Sequence, residues 1–563
     1  MNVRGASLAM AGLLALVFLS QGLTAPFEKD EESRPAGITA DIVHHGHWML
    51  PADVYGEVTR KPPLYYWLSA AIAMIRGGRL DEAGARLLSL LAGAALAVVV
   101  MGYAGAWIGG RAGWLGWLVL LSCYGFCSHA GYARTDMLFT LLIFGAYCLL
   151  YPAVEGDGSA RHWLPAGMVL ALAILTKGPL AVLLCALGIA IYLLLTRRNP
   201  LELALRPWPW LTLMVAAAVA SAWYVPAFVK THGAVAGVQL MQENLGHFVP
   251  ARLGGTGEAS RPFYYLLVRF IGTSLPFSLY VPALIAALIP LRKVGHPQLY
   301  QLGLLLAVLG FFSIASAKRD DYILPAFPPF AIVLAAMLTA GSGQIPSAAD
   351  RLRDLAGLAA GLAMLAMAAL WLILSDQGGL AHRLSAHLQS SDAAYLRLFA
   401  AGGWRSRQAA LMLAIAAAST VSLIAWRRAR PVFVATAVAL AAMAGVSLWI
   451  GIIRPELAVR RTFKAFAIAM RTTIGGAPIY TPGGPDYEIS YYYGAPIRPL
   501  SMIPRNPEDS SPRYVLVWDN WLSDRKWAGL GREILASRPA LDGHRLVLLK
   551  IDANRFEPFL ENH

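Results

Sequence analysis

The chain has 563 residues, enough for three or four soluble domains, but its composition excludes a soluble globular protein. Hydrophobic residues make up 57% of it, charged residues only 14%, and the mean hydropathy is +0.53. The net charge is +14, yet the basic residues stand in short clusters between apolar runs, which is typical of membrane topology signals and excludes a nucleic-acid-binding protein. The four cysteines lie inside apolar stretches and predict no disulfide framework.

Apolar runs long enough to cross a bilayer as helices fill the first four-fifths of the chain. The sequence predicts thirteen of them, near 6–25, 84–108, 112–130, 136–154, 163–176, 178–196, 208–228, 264–290, 298–317, 322–341, 355–375, 408–426 and 431–453. Thr176-Lys177-Gly178-Pro179 separates the fifth from the sixth and predicts a tight turn. The first run is interpreted as an uncleaved helix rather than a signal peptide, because no clear small-x-small cleavage site follows it.

Short basic loops predict the orientation of these spans. With thirteen spans, four clusters fall on one side, which the positive-inside rule assigns to the cytoplasm: Arg197, Arg198 and Arg206; Arg292 and Lys293; Arg351 and Arg353; Arg427, Arg428 and Arg430. The N-terminus is then inside and the C-terminus outside. The extracytoplasmic loops would be 26–83, 131–135, the turn around 177, 229–263, 318–321 and 376–407, and they hold nearly all the unusual polar residues.

The composition changes after about residue 454. A helical pattern covers 460–466, and short strands are predicted at 477–480, 513–518 and 544–550. The predicted fold is therefore mainly α: a polytopic membrane helix bundle over 1–453, which includes the first outer loop 26–83, followed by a small extracytoplasmic α/β domain over 454–563.

Two features of the first outer loop suggest chemistry. Glu28, Asp30, Glu31 and Glu32 form a cluster of carboxylates suited to a general base or a metal site, although a solvated charge run has the same composition. In Lys61-Pro62-Pro63 the prolines predict an extended entry to an interfacial helix, which holds Lys61 at headgroup depth. A lipid phosphate would be its natural partner, and a snorkelling lysine is the alternative.

Further charged residues stand at the same outer lip. Asp136, in Ala133-Arg134-Thr135-Asp136, lies at the mouth of a span, where it or Thr135 could also cap the helix. The cations Lys177, Arg261 and Lys318 join Lys61 on this side of the membrane. Such a composition suits an anionic head group and its leaving phosphate.

In order along the chain, these motifs resemble the GT-C glycosyltransferases of the aminoarabinose-transferase and protein O-mannosyltransferase type. The motifs are the acidic stretch Asp30-Glu31-Glu32-Ser33-Arg34, which resembles an Asp/Glu-Glu-x-x-Arg loop, Gly46-x-Trp48-x-x-Pro51, Lys61-Pro62-Pro63-Leu64-x-Tyr66-Trp67-Leu68, Ala133-Arg134-x-Asp136, Thr176-Lys177-Gly178-Pro179, Pro262-Phe263-Tyr264-Tyr265, and Phe311-Phe312-Ser313 followed by Lys318-x-x-x-Tyr322-x-Leu324-Pro325. The resemblance covers nearly the whole chain. It implies transfer of a monosaccharide from a polyprenyl phosphate to an acceptor outside the cytoplasm.

The resemblance also implies roles for individual residues. The catalytic carboxylate of the family precedes a Glu, which leaves the base open between Asp30 and Glu31; spacing from Gly46-x-Trp48 favours Glu31. Glu32 and Arg34 would support the base. Asp136 matches the second acidic position, and the positions around the donor phosphate match Lys61, Lys177, Arg261, Lys318 and Tyr322.

The case for a metal is weaker. The residue before Lys-Pro-Pro is often a Glu that can bind a divalent metal in the aminoarabinose branch, whereas this chain has Arg60. His44, His45 and His47 are zinc-ligand types, but their spacing does not readily bring all three to one ion, so solvated histidines are favoured. The sequence therefore assigns no metal ligands and no cofactor, and a bound divalent metal is the alternative.

The resulting hypothesis is an inverting transferase in the bacterial inner membrane whose site and C-terminal domain face the periplasm. The carboxylate at 30 or 31 takes a proton from the acceptor as it attacks the anomeric carbon, while Lys61, Arg261 and Lys318 neutralise the departing phosphate. A transporter or flippase of the same donor lipid is the alternative, and a noncatalytic scaffold is a third. The sugar stays open, as does the acceptor: lipid A, another glycolipid, a polysaccharide or a protein.

Overall fold

The computed structural model describes residues 3–27, 30–156, 160–238, 261–341, 343–374, 383, 406–503, 512–522, 532–539 and 544–551. The predicted carboxylate Glu28, most of the predicted outer loops 229–263 and 376–407, and the end of the predicted C-terminal domain lie outside these residues.

The described chain before residue 454 is helical, as its long apolar runs predict. Its helices are α1 (Val3–Leu19), α2 (Asp30–His45), α3 (Leu64–Ile75), α4 (Glu82–Trp107), α5 (Gly110–Ser122), α6 (Tyr124–Ala130), α7 (Thr135–Glu155), α8 (Ala160–Lys177), α9 (Leu180–Leu195), α10 (Pro200–Ala204), α11 (Pro207–Lys230), α12 (Ala234–Ala236), α13 (Tyr265–Thr273), α14 (Val281–Leu288), α15 (His296–Ile314), α16 (Phe327–Thr339), α17 (Ser347–Leu374), α18 (Ser406–Arg427) and α19 (Pro431–Leu448).

The protein is a multi-pass membrane protein. Eight helical segments in the described part are long and apolar enough to cross a bilayer, or nine if the pair Tyr265–Thr273 and Phe277–Leu288, bent by 112°, is one broken span. The run predicted at 112–130 is interrupted at Cys123, between α5 and α6, and α1 and α9 are apolar but shorter than a typical span. The figure of thirteen spans stays a prediction.

Burial distinguishes inner from outer helices. The segment Asp320–Thr339, which begins as a 3-10 helix and continues as α16, is the most enclosed: 89% of the residues in its most apolar stretch are buried. In α11 and α18 the same share is 28%. The spans α4, α7 and α15 are intermediate, at 61–67%. The outer ends of the inner helices α7 and α16 therefore lie within protein, where charged side chains need partners.

The described C-terminal segment contains α20 (Arg454–Arg461), α21 (Lys464–Ile474), α22 (Tyr487–Tyr493), α23 (Asp519–Leu522) and a five-stranded sheet of β1 (Ile479–Thr481), β2 (Arg498–Pro499), β3 (Arg513–Trp518), β4 (Arg532–Pro539) and β5 (Arg545–Ile551). The strand order is β2-β1-β3-β5-β4, with β1 parallel to both neighbours and β5 antiparallel to both of its own. Strands β1, β3 and β5 coincide with the predicted strands. Strand β2 has only two residues, and β4 is a polar edge strand, so neither has a clear apolar signal.

The C-terminal segment packs on the first outer loop through α22. The Tyr492 hydroxyl accepts a hydrogen bond from the Phe27 backbone N–H at 2.8 Å and donates to Glu82 at 2.8 Å. Tyr55 Oη lies 2.9 Å from Ser490 Oγ, and Lys464 Nζ lies 2.5 Å from Glu82 Oε1. The segments 27–82 and 464–492 thus meet beside α2, the helix that carries the predicted carboxylates.

Candidate active site

A cavity of about 360 Å³ lies between the segment 30–66, the start of α7 and the C-terminal ends of α8 and α15. Apolar and aromatic side chains form part of its wall, including Tyr66, Phe311 and Phe312. The charged residues that line it come from five separate stretches of sequence: Asp30, Glu31, Arg34, Arg60, Lys61, Arg134, Asp136, Lys177, Arg319 and Asp321. A charged recess of this size, with an apolar side, suits an amphipathic anionic ligand.

A buried ion pair anchors the start of α2. Glu32 accepts from Arg86 Nε at 2.7 Å and from Arg86 Nη2 at 2.8 Å, and it also accepts from the Ala133 backbone N–H at 3.0 Å. Burial raises the pKa of Glu32, but the charge of the Arg86 guanidinium outweighs that effect and holds the pKa below its usual value. The two side chains are only 1–2% exposed. Glu32 therefore supports the site by holding α2 against α4 and the segment before α7.

Adjacent carboxylates on α2 have different surroundings. Glu31 is half-exposed and faces two guanidinium groups, at 3.2 Å from Arg134 Nη1 and 3.1 Å from Arg319 Nη2. Asp30 Oδ1 accepts from the backbone N–H groups of Tyr487 at 3.0 Å and Glu488 at 3.3 Å. Asp30 is exposed as a residue, yet burial of its carboxyl raises the pKa, against the lowering effect of those two hydrogen bonds. Asp30 binds the start of α22, whereas Glu31 is directed toward the cations of the cavity.

An ion network forms the inner wall of the cavity. Asp136, 3% exposed, accepts from Arg134 Nε at 2.9 Å and from the Lys177 ammonium. Asp321, 5% exposed, lies 3.1 Å from Arg134 Nη2, 3.2 Å from Arg319 Nε and 3.7 Å from Lys177 Nζ. Buried charges persist only when paired, and here each buried carboxylate contacts at least two cations.

Local backbone geometry delivers these residues to one place. Arg134 is extended (φ −143°, ψ 154°) and ends the loop before α7, so its side chain reaches back over the first turn, which contains Asp136. Helix α8 ends at Lys177, and Gly178 has a φ of +92°, a conformation that residues with a Cβ rarely adopt. Pro179 then precedes α9. The break predicted at Thr176-Lys177-Gly178-Pro179 is confirmed, and it leaves Lys177 at the cavity.

Three of the five predicted phosphate ligands line the cavity: Lys61, Lys177 and Tyr322. The Tyr322 ring stacks on Phe312 with centroids 4.8 Å apart and lies 5.5 Å from Lys177 Nζ.

Arg261 and Lys318 lie outside the residues that line it. Lys318 Nζ donates to the backbone carbonyl of Arg261 at 3.0 Å and to that of Ala315, while the Arg261 guanidinium lies 4.3 Å from the centre of the Tyr265 ring. Burial lowers the pKa of the Lys318 ammonium. The structure therefore does not bring this pair to the position that the resemblance implies.

Arg34, predicted to support the base, lies at the rim of the cavity. Its Nε donates to Asp53 at 3.0 Å, and its guanidinium lies 4.9 Å from the centre of the Tyr487 ring. The Tyr487 hydroxyl donates to the same Asp53 carboxylate at 3.0 Å. A residue of the C-terminal segment, more than 400 positions from α2, thus lines the cavity.

Four residues that line the cavity were not predicted as site residues from the sequence: Arg134, Arg319, Asp321 and Tyr487. The first three stand within the quoted motifs, and their charge at a predicted helix mouth was the available signal. Tyr487 lies in an ordinary turn-rich stretch and gave no such signal.

Two metal-ligand possibilities can be compared. Arg60, at the position before Lys-Pro-Pro, lies 3.7 Å from Glu57 and, as a cation, is no metal ligand. His44, His45 and His47 are all exposed, as predicted, but His45 and His47 both contact Asp41, whereas His44 is not part of that group.

Cations outnumber carboxylates among the residues that line the cavity, six to four. Two of these cations have carboxylate partners just outside the lining, Asp53 for Arg34 and Glu57 for Arg60, so the charges are close to balance. A phosphate would therefore bind by competing for guanidinium and ammonium groups that contact carboxylates.

Comparison with known proteins agrees with this architecture. Residues 60–225 match the family described as dolichyl-phosphate-mannose-protein mannosyltransferase. The chain is 26% identical over 346 residues to an undecaprenyl phosphate-alpha-4-amino-4-deoxy-L-arabinose arabinosyl transferase of Enterobacter sp. (strain 638), covering 58% of each protein. It is 30% identical over 380 residues to the protein of that name in Pseudomonas aeruginosa (strain UCBPP-PA14), covering 64% of this chain and 63% of the relative. The chain spans about three-fifths of the length of these curated relatives.

The fold has a solved counterpart. The crystal structure of ArnT from Cupriavidus metallidurans bound to undecaprenyl phosphate superimposes with a TM-score of 0.75 at 20% identity, covering 97% of both chains. The apo form of that protein gives 0.74 over 97% of this chain and 98% of its own.

The chain is a multi-pass membrane protein that shares the fold of the ArnT structures. Within that class, the predicted resemblance to the aminoarabinose-transferase type is confirmed by the sequence matches and by the shared ArnT fold.

Proposed function

We propose that this protein is a glycosyltransferase that moves a monosaccharide from a polyprenyl phosphate to an acceptor at the outer face of the bacterial inner membrane. The observation that carries the proposal is the cavity, in which Glu31 faces Arg134 and Arg319 beside the paired Asp136 and Lys177. The names of the curated relatives support 4-amino-4-deoxy-L-arabinose on undecaprenyl phosphate as the donor. As the acceptor we propose a lipid A-like glycolipid.

Charge matching supports the donor assignment. A polyprenyl phosphate sugar is a phosphodiester with about one negative charge, and the polyprenyl phosphate that leaves is a monoester with up to about two. The six cationic side chains that line the cavity would therefore hold the leaving group more strongly than the intact donor. Interactions that strengthen as the reaction proceeds lower the barrier, so these cations would contribute to catalysis as well as to binding.

We assign the base to Glu31 rather than Asp30, because Asp30 caps α22 whereas the half-exposed Glu31 carboxylate reaches the cavity cations. An incoming donor phosphate would compete with Glu31 for Arg134 and Arg319. The displaced carboxylate could then accept the acceptor proton, while the acceptor oxygen bonds to the anomeric carbon and the bond from that carbon to the phosphate oxygen breaks. A single displacement of this kind inverts the anomeric configuration.

The remaining residues have supporting roles in this proposal. Lys61, Lys177 and Tyr322 hold the donor phosphate, and Asp136 positions Arg134 and Lys177. Glu32 and Arg34 hold α2 in place. Arg261 and Lys318 would need to leave the contacts described above in order to reach a phosphate.

We also propose the topology: thirteen spans, with the C-terminal α/β domain over 454–563 in the periplasm. Its contacts with the first outer loop, including the Asp30 cap on α22, support its position on the side of the cavity. In this view the domain completes the site by supplying Tyr487.

The test is transfer of radiolabel from a panel of polyprenyl phosphate monosaccharides to host glycolipids by the purified protein in proteoliposomes. Wild type is compared with Glu31→Gln, Asp30→Asn and Asp136→Asn. We expect Glu31→Gln to abolish transfer, and Asp30→Asn to retain much of it because the amide oxygen can still cap α22.

The outcomes separate the alternatives. Full activity in Glu31→Gln, Asp30→Asn and the double variant would refute the carboxylate mechanism. If the protein consumes no donor but labelled lipid crosses the bilayer, the transporter function replaces the transferase function.

A further inference from the structure

A second group of metal-ligand side chains lies at the opposite end of α2 from the carboxylates of the cavity. Asp41 and His45 are four residues apart, so their side chains share one face of the helix. Helix α2 ends at His45, and Gly46 follows with a φ of +71°, a left-handed conformation that favours glycine. The Gly46 N–H donates to Ile42 at 3.0 Å, and this turn folds His47 back onto the helix.

The three side chains meet at one point. His45 Nδ1 and His47 Nδ1 each lie 3.0 Å from Asp41 Oδ1, and all three ligand atoms lie within 4.8 Å of one another. In a tetrahedral zinc site with bonds of about 2.0 Å, neighbouring ligand atoms are about 3.3 Å apart. The two nitrogen–oxygen separations therefore need to open by only a few tenths of an ångström to admit an ion, and the two imidazole nitrogens already lie within 4.8 Å of each other.

The surrounding chain holds this arrangement. The Ala52 N–H donates to Asp41 Oδ2 at 2.9 Å, which orients the carboxylate and leaves Oδ1 toward the histidines. The backbone carbonyl of Trp48 accepts from Trp67 Nε1 at 2.6 Å, and that of Met49 accepts from Trp223 Nε1 at 2.9 Å. These bonds fix the segment after His47 to α3 and α11. Preorganised ligands lose less conformational entropy on binding than mobile ones.

We propose that Asp41, His45 and His47 form a divalent-metal site, with Zn²⁺ the ion that best suits two imidazoles and one carboxylate. The two histidines are 66% and 58% exposed, so the fourth position is open to water. The site joins the end of α2 to the segment 46–52. That segment leads to Asp53, the partner of Arg34, and then to Lys61, so metal binding would stiffen the loop that borders the cavity.

The site is distinct from the position before Lys-Pro-Pro, where Arg60 stands, and it does not depend on the proposed transferase activity. Its test therefore uses metal binding and stability as readouts. His44, the exposed neighbour of His45 outside the group, provides a matched control because its loss removes an imidazole from the same helix end.

The experiment uses the full-length protein in detergent, purified with a histidine-free tag and stripped with EDTA. Zinc binding is measured by isothermal titration calorimetry at pH 7.5 for wild type, His44→Ala, His45→Ala and His47→Ala. We expect one zinc per wild-type chain, unchanged in His44→Ala. We expect binding in His45→Ala and His47→Ala to weaken by more than the roughly 10–100-fold that follows loss of an outer-shell partner. Zinc should also raise the thermal unfolding midpoint of wild type and His44→Ala only.

Cobalt provides an independent measure of geometry. Co²⁺ in a four-coordinate nitrogen and oxygen site gives strong visible absorption bands, which should appear for wild type and His44→Ala and be absent in the other two variants. The proposal is wrong if wild type binds no zinc with defined stoichiometry, or if His44→Ala loses as much affinity as His45→Ala and His47→Ala. Because both mutated side chains are mostly exposed, their loss should leave the fold intact.

Discussion

Replacing Arg86 by Met tests whether the buried ion pair between Arg86 of α4 and Glu32 of α2 holds α2 in place. The substitution keeps an unbranched side chain of related length but leaves the buried Glu32 carboxylate with only the more distant Arg454 guanidinium, at 3.9 Å. It also removes the donors to the backbone carbonyls of Leu23, at 2.8 Å, and Ala25. Breaking a buried pair by removing one partner costs about 3–5 kcal/mol, and the two carbonyl groups add to that cost.

The matched control is Arg76→Met. Arg76 forms the same two-bond geometry with Asp81, at 2.8 and 3.1 Å, but both side chains are substantially exposed. Exposed pairs contribute about 0–1 kcal/mol, so this variant should be nearly as stable as wild type. Arg86→Lys should fall between the two, because a lysine retains the charge but cannot make the paired hydrogen bonds.

Equilibrium unfolding of the full-length protein in mixed detergent micelles measures the difference. We expect Arg86→Met to lose at least about 2 kcal/mol more than Arg76→Met, together with most of its transfer activity, because Glu31 adjoins Glu32. If the two variants differ by less than about 1 kcal/mol, the buried pair does not hold α2 as we describe.

Three further predictions concern the pH response, the turn after α8 and the donor contacts. Burial raises the pKa of Glu488 to about 7, so its folded pKa exceeds the unfolded value of 4.5, and its contribution to stability is greatest below pH 4.5 and is lost as the pH rises through 7. Glu488→Gln keeps an acceptor for the Phe463 N–H but cannot ionise. It should therefore raise the thermal unfolding midpoint at pH 8, by on the order of 1–3 kcal/mol of stability, and leave it unchanged at pH 4.5. An equal effect at both pH values would contradict the assignment. Gly178→Ala should destabilise the protein by more than about 1 kcal/mol and lower the transfer rate, because the φ of Gly178 is +92°. The control Gly37→Ala, inside α2 with open space around it, should be neutral or stabilising in the same thermal assay. Similar behaviour of the two variants would show that Gly178 has no special role. Lys177→Met should raise the donor KM at least about tenfold while Arg261→Ala changes it little, since only Lys177 lines the cavity, and steady-state kinetics giving the reverse order would show that the donor phosphate binds elsewhere.

Apolar run length and motif order predicted the membrane class, the GT-C resemblance and the break after Lys177. These features are local, because each depends on a short stretch of residues whose hydropathy or backbone conformation is legible by itself. The individual helices were less predictable. The run at 112–130 is divided at Cys123, and the run at 264–290 bends by 112°, since tertiary packing rather than hydropathy decides where a helix ends.

The sequence predicted which stretches of the chain contribute charged residues to the site, but not which side chains pair with each other. Nothing in the acidic run distinguishes Glu32, buried against Arg86, from Glu31, which faces the cavity. Likewise, the predicted ligands Lys318 and Lys177 look alike in sequence, yet one donates to backbone carbonyls and the other to Asp136. Such choices depend on contacts between residues far apart in the chain, and the Asp30 cap on α22, more than 450 positions away, is the clearest case.

The most direct test of the central claim is a single-turnover measurement of sugar transfer with undecaprenyl phosphate-linked aminoarabinose at saturating concentration, combined with donor binding, for wild type and Glu31→Gln. We expect the rate of transfer to fall by at least about 100-fold, while donor affinity is retained or increases because Arg134 and Arg319 each lose one of their carboxylate partners. Transfer at the wild-type rate with unchanged donor binding would contradict the assignment of Glu31 and of the cavity it faces.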